Sequence, residues 1–349
     1  MRSAQGPTAA TGPPARHVLV VGGAGYIGNV LTRALLARQV RVRCLDALLY
    51  DTGSAIAPLL EQPRFSFVRG DMRRPEVLAC ALAGVTDVVL LASLVGDSIC
   101  NKYPGLARDV NVGGSIGTFE AAVSRGVERF VFVSTCSNYG VHGEAAATEE
   151  SALDPRSLYT RTKVEFEQFL LHRSPAVPCT TAVLRLATAF GMSARMRFDL
   201  TVSDFARQLA LGRELVVYDA HTWRPYCHVE DIASAVIATL EAERAIVAGQ
   251  VFNVGADAEN YTKAMLIAEL RTLVPDARVR CDIGDTDVRN YRVSFSKIRE
   301  TLGARPQRRV RESAAAVIEA VRAGLFADVD ARPSFYGNCV IPFEEILRT

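Results

Sequence analysis

The sequence feature that most constrains this chain is a glycine-rich loop between a short apolar run and a helical pattern. The apolar run HVLVVGG spans residues 17–23, and the helical pattern follows over residues 25–38. The loop VVGGAGYIG places Gly22, Gly25 and Gly28 at three-residue intervals. Glycines at this spacing let the chain turn tightly and bring backbone N–H groups against a pyrophosphate. In this strand–loop–helix context the motif predicts a dinucleotide site; the alternative is a glycine-rich turn without a ligand.

Apolar runs and helical patterns alternate through the first half of the chain. We predict further strands at residues 40–46, 65–71, 86–93, 129–135 and 180–186, and helices at residues 75–82, 105–125 and 157–171. Near-continuous apolar strands separated by helices are typical of a parallel sheet that is covered on both faces. We therefore predict an α/β fold: a Rossmann-type doubly wound parallel sheet with a smaller C-terminal substrate-binding α/β domain.

The alternation becomes less regular after about residue 190, which predicts a domain boundary. The Pro, Gly, Ala and Thr content of residues 1–15 predicts a disordered tail. We expect a dinucleotide-binding domain over residues 16–190 and a mainly substrate-binding domain over residues 191–349. Segments near residues 220–255 are expected to return to the first domain, which blurs the boundary.

Composition excludes several classes of protein. The formal net charge is +2 with acidic and basic residues mixed, so we expect no nucleic-acid partner. No run approaches 18 apolar residues and the N-terminus lacks an apolar signal core, so we expect no membrane partner and a cytoplasmic location. The eight cysteines form no CxxC pair, and we therefore predict no metal site.

Asp46 indicates which dinucleotide is bound. It ends the second predicted strand, 18 residues after Gly28. An acidic residue near this distance accepts hydrogen bonds from the adenosine ribose hydroxyls and repels a 2′-phosphate, which favours NAD over NADP. Asp71, after the third strand, is a candidate for the adenine edge; the alternative for either residue is a structural carboxylate.

A Tyr-x-x-x-Lys motif, Tyr159 and Lys163, suggests the chemistry. The four-residue spacing places both side chains on one helix face. An ammonium lowers the pKa of a neighbouring phenol, so Tyr159 could take a proton from a sugar hydroxyl as hydride leaves. Thr135 closes the fifth strand, where its hydroxyl could orient the same sugar oxygen or merely cap the turn.

With these motifs the chain resembles the extended short-chain dehydrogenase/reductases, especially the NAD-dependent nucleotide-sugar epimerases and dehydratases. The resemblance extends from residue 17 to about residue 325 and also rests on GDM (70–72), LAS (91–93), VSTCSNYG (133–140), LRLATAFG (184–191) and WRPYCHVEDIASA (223–235). It implies NAD that is reduced and reoxidised within one turnover. It also implies a catalytic set in which Tyr159 is the base, Lys163 is its electrostatic partner and a ribose ligand, and Thr135 is the third member.

The resemblance carries further binding residues. Together with the loop and acidic residues above, it implies a cofactor site formed by Tyr26, Ile27, Met72, Leu91, Ala92, Ser93, Asn111 and Ser134, with Tyr159 and Lys163. Arg224 and Arg289 match family positions that contact the nucleotide sugar. Arg197 and Phe198 precede a predicted helix and are candidates to line the same pocket. Guanidinium groups suit phosphate oxygens, although each arginine could instead form a structural ion pair.

The residues after Thr135 depart from the family pattern. Sugar 4,6-dehydratases usually place Asp-Glu there, whereas this chain has Cys136 and Ser137. An epimerase that oxidises and re-reduces one carbon needs neither carboxylate. The pKa of a thiol can lie near neutral pH, so Cys136 is a candidate acid/base. The alternative is a small residue that fills space.

The sequence therefore favours an NAD-dependent epimerase acting on a nucleotide-linked sugar. The alternatives are an atypical dehydratase using Cys136, a reductase of a nucleotide-linked 4-keto-sugar, and a non-catalytic NAD-binding regulator. Asp46 argues against the reductase, because net reductases usually prefer NADPH, and an intact catalytic set argues against the regulator. Relatives pair through two helices, here near residues 105–125 and 157–171, which predicts a homodimer.

Overall fold

The computed structural model describes residues 16–284 and 289–341; the predicted tail at residues 1–15 lies outside them. The strands are β1 His17–Val21, β2 Arg41–Asp46, β3 Phe65–Arg69, β4 Asp87–Leu90, β5 Arg129–Thr135, β6 Thr180–Leu186, β7 Thr188–Phe190, β8 Leu215–Tyr218, β9 Trp223–His228, β10 Gln250–Val254, β11 Asn260–Thr262 and β12 Val279–Asp282. The helices are α1 Tyr26–Ala37, α2 Gly53–Ile56, α3 Pro75–Ala81, α4 Asp97–Lys102, α5 Pro104–Arg108, α6 Ser115–Ser124, α7 Leu158–Arg173, α8 Thr201–Ala210, α9 Val229–Glu241, α10 Arg244–Val247, α11 Lys263–Leu273, α12 Ser296–Leu302 and α13 Val310–Arg322.

Seven strands form the main sheet in the order β3-β2-β1-β4-β5-β6-β10, and every neighbouring pair is parallel. Parallel neighbours require a crossover, and helices supply those crossovers on both faces of the sheet. The predicted doubly wound α/β fold is confirmed.

Alternate residues of the strands enter two separate cores. Val18, Val20 and Val131 pack with α1 and α9 on one face. Leu19 and Phe130 pack with α3, α6 and α7 on the other face. Because both faces of the sheet are buried, the strands appear in the sequence as continuous apolar runs and not as an alternation of apolar and polar residues.

The second part of the chain is smaller and less regular. It holds a three-stranded sheet in the order β7-β9-β11, a parallel pair β8-β12, and helices α8, α11 and α13 around a third core. Within this part, β10 pairs with β6 and the buried face of α9 joins a core of the main sheet. The pairing of β10 and the packing of α9 hold the second part of the chain against the main sheet.

The helix predicted for residues 105–125 is present as one unbroken helical run from Pro104 to Ser124, but its middle is π-helical. The chain forms α5, then a π-helical segment at Asp109–Gly114, then α6. Pro104 begins α5 at the first helical turn, where its missing N–H costs nothing. The short strands β7, β9, β11 and β12 were not predicted, since three to six residues carry little periodic signal. Within residues 16–284 and 289–341, no helix is long and apolar enough to cross a membrane.

Candidate active site

A cavity of about 530 Å³ lies where the carboxyl ends of the main-sheet strands meet the second part of the chain. The strand order changes direction between β1 and β4, so the loops after these strands turn apart and leave a crevice. Most residues predicted for the site line this cavity: Gly22, Gly25, Tyr26, Ile27, Gly28, Asp46, Asp71, Met72, Leu91, Ala92, Ser93, Ser134, Thr135, Tyr159, Lys163, Arg197, Arg224 and Arg289.

The glycine loop is shaped by close backbone contacts. Gly22 has φ +87°, and a Cβ there would lie 2.6 Å from the backbone nitrogen of Ala92. A Cβ at Gly28 would collide with the carbonyl oxygen of Gly22, so helix and strand could not pack this closely. Gly25 precedes α1 and has no side chain to cap it, which leaves the first-turn N–H groups for an anion. The loop therefore fits a pyrophosphate.

Asp46 holds the same loop from the end of β2. Its two carboxylate oxygens accept hydrogen bonds from the backbone nitrogens of Ala24, at 3.0 Å, and Leu48, at 2.8 Å. Burial raises the pKa of Asp46, and both hydrogen bonds oppose that rise. Asp71 is paired with Arg73 at 2.6 Å. Both carboxylates thus combine a structural contact with a place on the cavity wall.

Helix α7 presents the Tyr-x-x-x-Lys pair. Ser157 begins the helix with a capping box shared with Thr160, which fixes where the first turn lies. Lys163 is 3% exposed, and its Nζ donates to the carbonyl of Val133 at 3.0 Å. The same nitrogen lies 6.0 Å from the ring centroid of Tyr159. Four-residue helical spacing therefore brings both groups to one wall, beside the end of β5.

The electrostatics differ from the expectation that an ammonium lowers the pKa of Tyr159. Burial lowers the pKa of Lys163 to about 7, so much of its charge is lost at neutral pH. Burial also raises the pKa of Tyr159, and the nearby Cys100 adds to that rise. Both groups share one poorly solvated wall, which disfavours the charged form of each.

Cys136 does not reach the cavity. Its side chain is buried in a core of the main sheet, and its thiol donates to the carbonyl of Arg185 at 3.1 Å. Burial raises the pKa of Cys136, which opposes formation of a thiolate. The burial of Cys136 thus supports the space-filling interpretation over the acid/base role. A 3-10 turn, Cys136–Tyr139, begins directly after Thr135, and there the chain turns the Cys136 side chain into the core while Thr135 lines the cavity.

Ser137 lines the cavity and was not predicted. Its hydroxyl lies 3.1 Å from the hydroxyl of Tyr291, and its backbone nitrogen donates to Thr135 Oγ1 at 3.1 Å. Only the tertiary fold brings Tyr291 to this position, so the sequence carried no signal for the pair. The strand end thus presents two hydroxyls, from Thr135 and Ser137.

Two other predicted site residues, Asn111 and Phe198, lie outside the cavity lining. Asn111 is 1% exposed and lies outside the cavity lining; its amide group bonds both backbone groups of Leu94 and also Thr162. It therefore ties the loop after β4 to α7 behind the site. Phe198 packs against the rings of Phe326 and Tyr336, at centroid distances of 5.0 and 5.9 Å. Its neighbour Arg197 takes the cavity side instead.

The three predicted substrate arginines line the second wall. Arg197 is paired with Asp199 at 2.7 Å. Arg289 lies 3.7 Å from Asp97, and Arg224 donates to the carbonyls of Trp223 and Arg289. Cationic side chains held in this way are suited to phosphate oxygens. Across the described ranges, no group of three or more His, Cys, Asp or Glu is placed to hold a metal ion.

The model for a family described as "NAD dependent epimerase/dehydratase family" matches residues 18–255. The glycan-biosynthesis protein Agl12 of Haloferax volcanii is 33% identical over 248 residues, covering 69% of this chain and 77% of Agl12. A dTDP-glucose 4,6-dehydratase of Streptomyces griseus is 30% identical, covering 83% of this chain and 89% of that protein. The solved UDP-glucose 4-epimerase of Thermus thermophilus, a complex with NAD, superposes with TM-score 0.76 at 26% identity. That superposition covers 88% of this chain and 99% of the epimerase.

Proposed function

This chain belongs to the NAD-dependent epimerase/dehydratase family, and we propose that it is a nucleotide-sugar epimerase. The resemblance found in the sequence is thereby confirmed, and the cofactor is NAD. The observation that carries the proposal is the strand end after β5. It presents the hydroxyls of Thr135 and Ser137 beside Tyr159 and Lys163, and it buries Cys136 away from them.

The proposed reaction inverts one carbon by oxidising its hydroxyl and then reducing the resulting ketone. NAD, when bound, accepts a hydride and returns it. Tyr159 takes the proton of the sugar hydroxyl and gives it back after the ketone has presented its other face. Thr135 holds the reacting oxygen, and Lys163 supports the phenolate whenever its ammonium is charged.

The binding residues divide between the two walls of the cavity. The glycine loop and the N-terminus of α1 would hold the NAD pyrophosphate, and Asp46 the adenosine ribose. Arg224 and Arg289 would hold the diphosphate of the nucleotide sugar. In this arrangement the sugar would lie between the NAD site and the two arginines, against Tyr159.

Dehydration is the alternative that the relatives keep open, since the Streptomyces griseus protein is a dTDP-glucose 4,6-dehydratase. Elimination of water needs an acid/base beyond Tyr159. The buried Cys136 does not supply one, and the Asp97 carboxylate on the cavity wall already faces Arg289. We therefore place epimerisation first. Asp46 opposes an NADPH-dependent reductase, and the clustered Thr135, Tyr159 and Lys163 oppose a non-catalytic regulator.

The test is to incubate the purified protein with UDP-, GDP-, dTDP- and CDP-hexoses and to record product masses and absorbance near 340 nm. We expect a product of unchanged mass and altered retention, with no lasting NADH. Loss of one water would establish the dehydratase, and consumption of added NADPH the reductase. Unaltered turnover in a Tyr159→Phe variant would refute the assigned base.

Two predictions from the sequence concern the whole molecule. A homodimer through α5, α6 and α7 stays a prediction, which light scattering coupled to gel filtration tests. A cytoplasmic location also stays a prediction, which fractionation of the source cells tests.

A further inference from the structure

The loop over residues 191–197 lies against the first turn of α1. The hydroxyl of Tyr26 donates to the carbonyl of Gly191 at 2.6 Å, and the hydroxyl of Ser193 donates to the carbonyl of Tyr26 at 2.8 Å. These bonds hold the loop against the start of α1, and its Arg195 and Arg197 line the same cavity as the glycine loop. The N-terminus of α1 favours an anion in that cavity.

Arg195 is the buried cation of this loop. It is 2% exposed and lines the cavity. Its Nη2 donates to the carbonyl of Gly337 at 2.9 Å and to Asn338 Oδ1 at 2.7 Å. Its Nε is buried and has no hydrogen-bond partner among the residues that the structure describes. A buried guanidinium donor without a partner carries a desolvation cost, which an anionic ligand would offset.

The acceptors around Arg195 are neutral. Within the described part of the chain its hydrogen bonds go to carbonyl and amide oxygens, whereas Arg197 is paired with the carboxylate of Asp199. Burial lowers the pKa of Arg195 to about 10, and Arg197 adds to that shift. The loop thus brings an excess of positive charge to the cavity wall.

We propose that Arg195 binds the pyrophosphate of NAD, opposite the N-terminus of α1. The inference rests on NAD as the cofactor and does not depend on which reaction is catalysed. Residues 334–338 hold the guanidinium in place, and the backbone nitrogen of Asn338 also donates to Asp199 at 3.0 Å. The C-terminal segment is therefore part of the cofactor site, although it lies more than 300 residues from the glycine loop.

The surroundings of Arg195 favour the dinucleotide over the diphosphate of the substrate. Its guanidinium carbon lies 5.3 Å from the ring centroid of Tyr50, which follows β2. Arg195 also opposes the rise in the pKa of Asp46, which places the two groups within electrostatic range. Both neighbours belong to the end of the cavity where adenosine binds in this type of fold. Arg224 and Arg289 lie apart from it, beside Tyr291 and Asp97.

The test measures binding of NAD, ADP and adenosine to the full-length protein after bound nucleotide has been removed. ADP carries a diphosphate and adenosine carries none. In an Arg195→Met variant we expect affinity for NAD and ADP to fall about tenfold or more, with affinity for adenosine unchanged. Arg195→Lys should recover part of the loss, because it keeps the charge and loses the planar fork. None of these measurements requires turnover, so they stand apart from the proposed reaction.

Arg207 offers a matched control. It is 7% exposed, donates to Asp330 at 2.9 Å and lies over the ring of Phe198, but it is not part of the cavity lining. Arg207→Met should leave all three affinities unchanged. Should Arg195→Met fail to fold, Asn338→Ala removes one anchor of the guanidinium and should weaken ADP binding about threefold.

Three results would overturn the proposal. The first is unchanged affinity for ADP in Arg195→Met or, if that variant does not fold, in Asn338→Ala. The second is an equal loss for ADP and adenosine, which would indicate a collapsed site. The third comes from binding of UDP and dTDP to Arg195→Met measured in the same way: a loss for both without a loss for ADP would assign Arg195 to the nucleotide sugar.

Discussion

Two buried cations on neighbouring elements, Lys163 and Arg185, have opposite environments. Lys163 lies at the cavity and donates to one carbonyl, and burial lowers its pKa to about 7. Arg185 lies behind the site in β6 and holds Glu167 through two hydrogen bonds. Burial favours the neutral form of Arg185 as well, but pairing with Glu167 raises its pKa overall. A carboxylate partner thus decides whether a buried cation stays charged or becomes easy to titrate.

A buried network surrounds Arg185 and supports the strand end. We define it as Ser134, Asn138, Tyr139, Glu167, Arg185 and Asn253, each at most 4% exposed. Ser134 donates to Glu167 at 2.9 Å, and Tyr139 joins Arg185 to Asn253 at 2.9 and 2.8 Å. Hydrogen bonds among Ser134, Glu167 and Arg185 fix the end of β5 against α7. Ser134 belongs to both the network and the cavity lining, so the network directly supports the wall of the site.

The largest expected effect is on turnover. Tyr159→Phe removes the proposed base and should lower kcat by about 10²–10⁴-fold, with NAD affinity within about twofold of the parent. Steady-state kinetics on the sugar substrate measures this. Tyr218→Phe, an exposed tyrosine at 49%, is the control and should leave kcat unchanged. Equal kinetics in both variants would contradict the assignment.

Breaking the buried network should lower the free energy of unfolding. Glu167→Ala leaves Arg185 buried without its carboxylate and should cost about 3–5 kcal/mol of unfolding free energy, measured by urea denaturation. Glu165 lies on the same helix in an exposed pair with Arg108 at 3.4 Å. Glu165→Ala should therefore cost less than about 1 kcal/mol. Comparable losses of unfolding free energy in the two variants would contradict the prediction that the buried face of α7 contributes more to stability than the exposed face.

Removal of the buried charge of Lys163 should raise the free energy of unfolding, whereas removal of Glu167 should lower it. In the folded protein its pKa is lowered from 10.5 to about 7, so between these values the unfolded chain binds more protons. Its burial penalty is therefore full below pH 7 and fades as pH rises toward 10.5. Lys163→Met should stabilise nucleotide-free protein by roughly 2–4 kcal/mol at pH 6 and by less at pH 9. Denaturation at both pH values, with exposed Lys102→Met as control, tests this; a gain that does not shrink at pH 9 would contradict it.

The smallest expected effect concerns Cys136. Cys136→Ala should leave kcat within about twofold and cost about 1–2 kcal/mol of stability, because it removes a buried sulfur from a packed core. Cys227→Ala is the matched control, since that thiol is buried in the same core. If Cys136→Ala alone abolished turnover, the thiol would regain the chemical role that its burial argues against.

Local patterns were sufficient wherever the chain itself brings the residues together. The strand–loop–helix spacing predicted the glycine loop, and helical spacing predicted that Tyr159 and Lys163 share a wall. Local patterns could not show that Phe198 and Asn111 lie outside the cavity lining. Phe198 packs against Phe326, which is distant in the chain, and Asn111 bonds Leu94 and Thr162 behind the site.

By itself the sequence determined the doubly wound sheet, the family and the cofactor, because these depend on short-range periodicity and on residues a few positions apart. Tertiary structure decided that Cys136 enters the core while Thr135 lines the cavity. It also decided that Ser137 meets Tyr291 and that Arg195 is held by Asn338. Such contacts join residues more than 140 positions apart, and only the packed chain, after paying the entropy of closing those loops, brings them together.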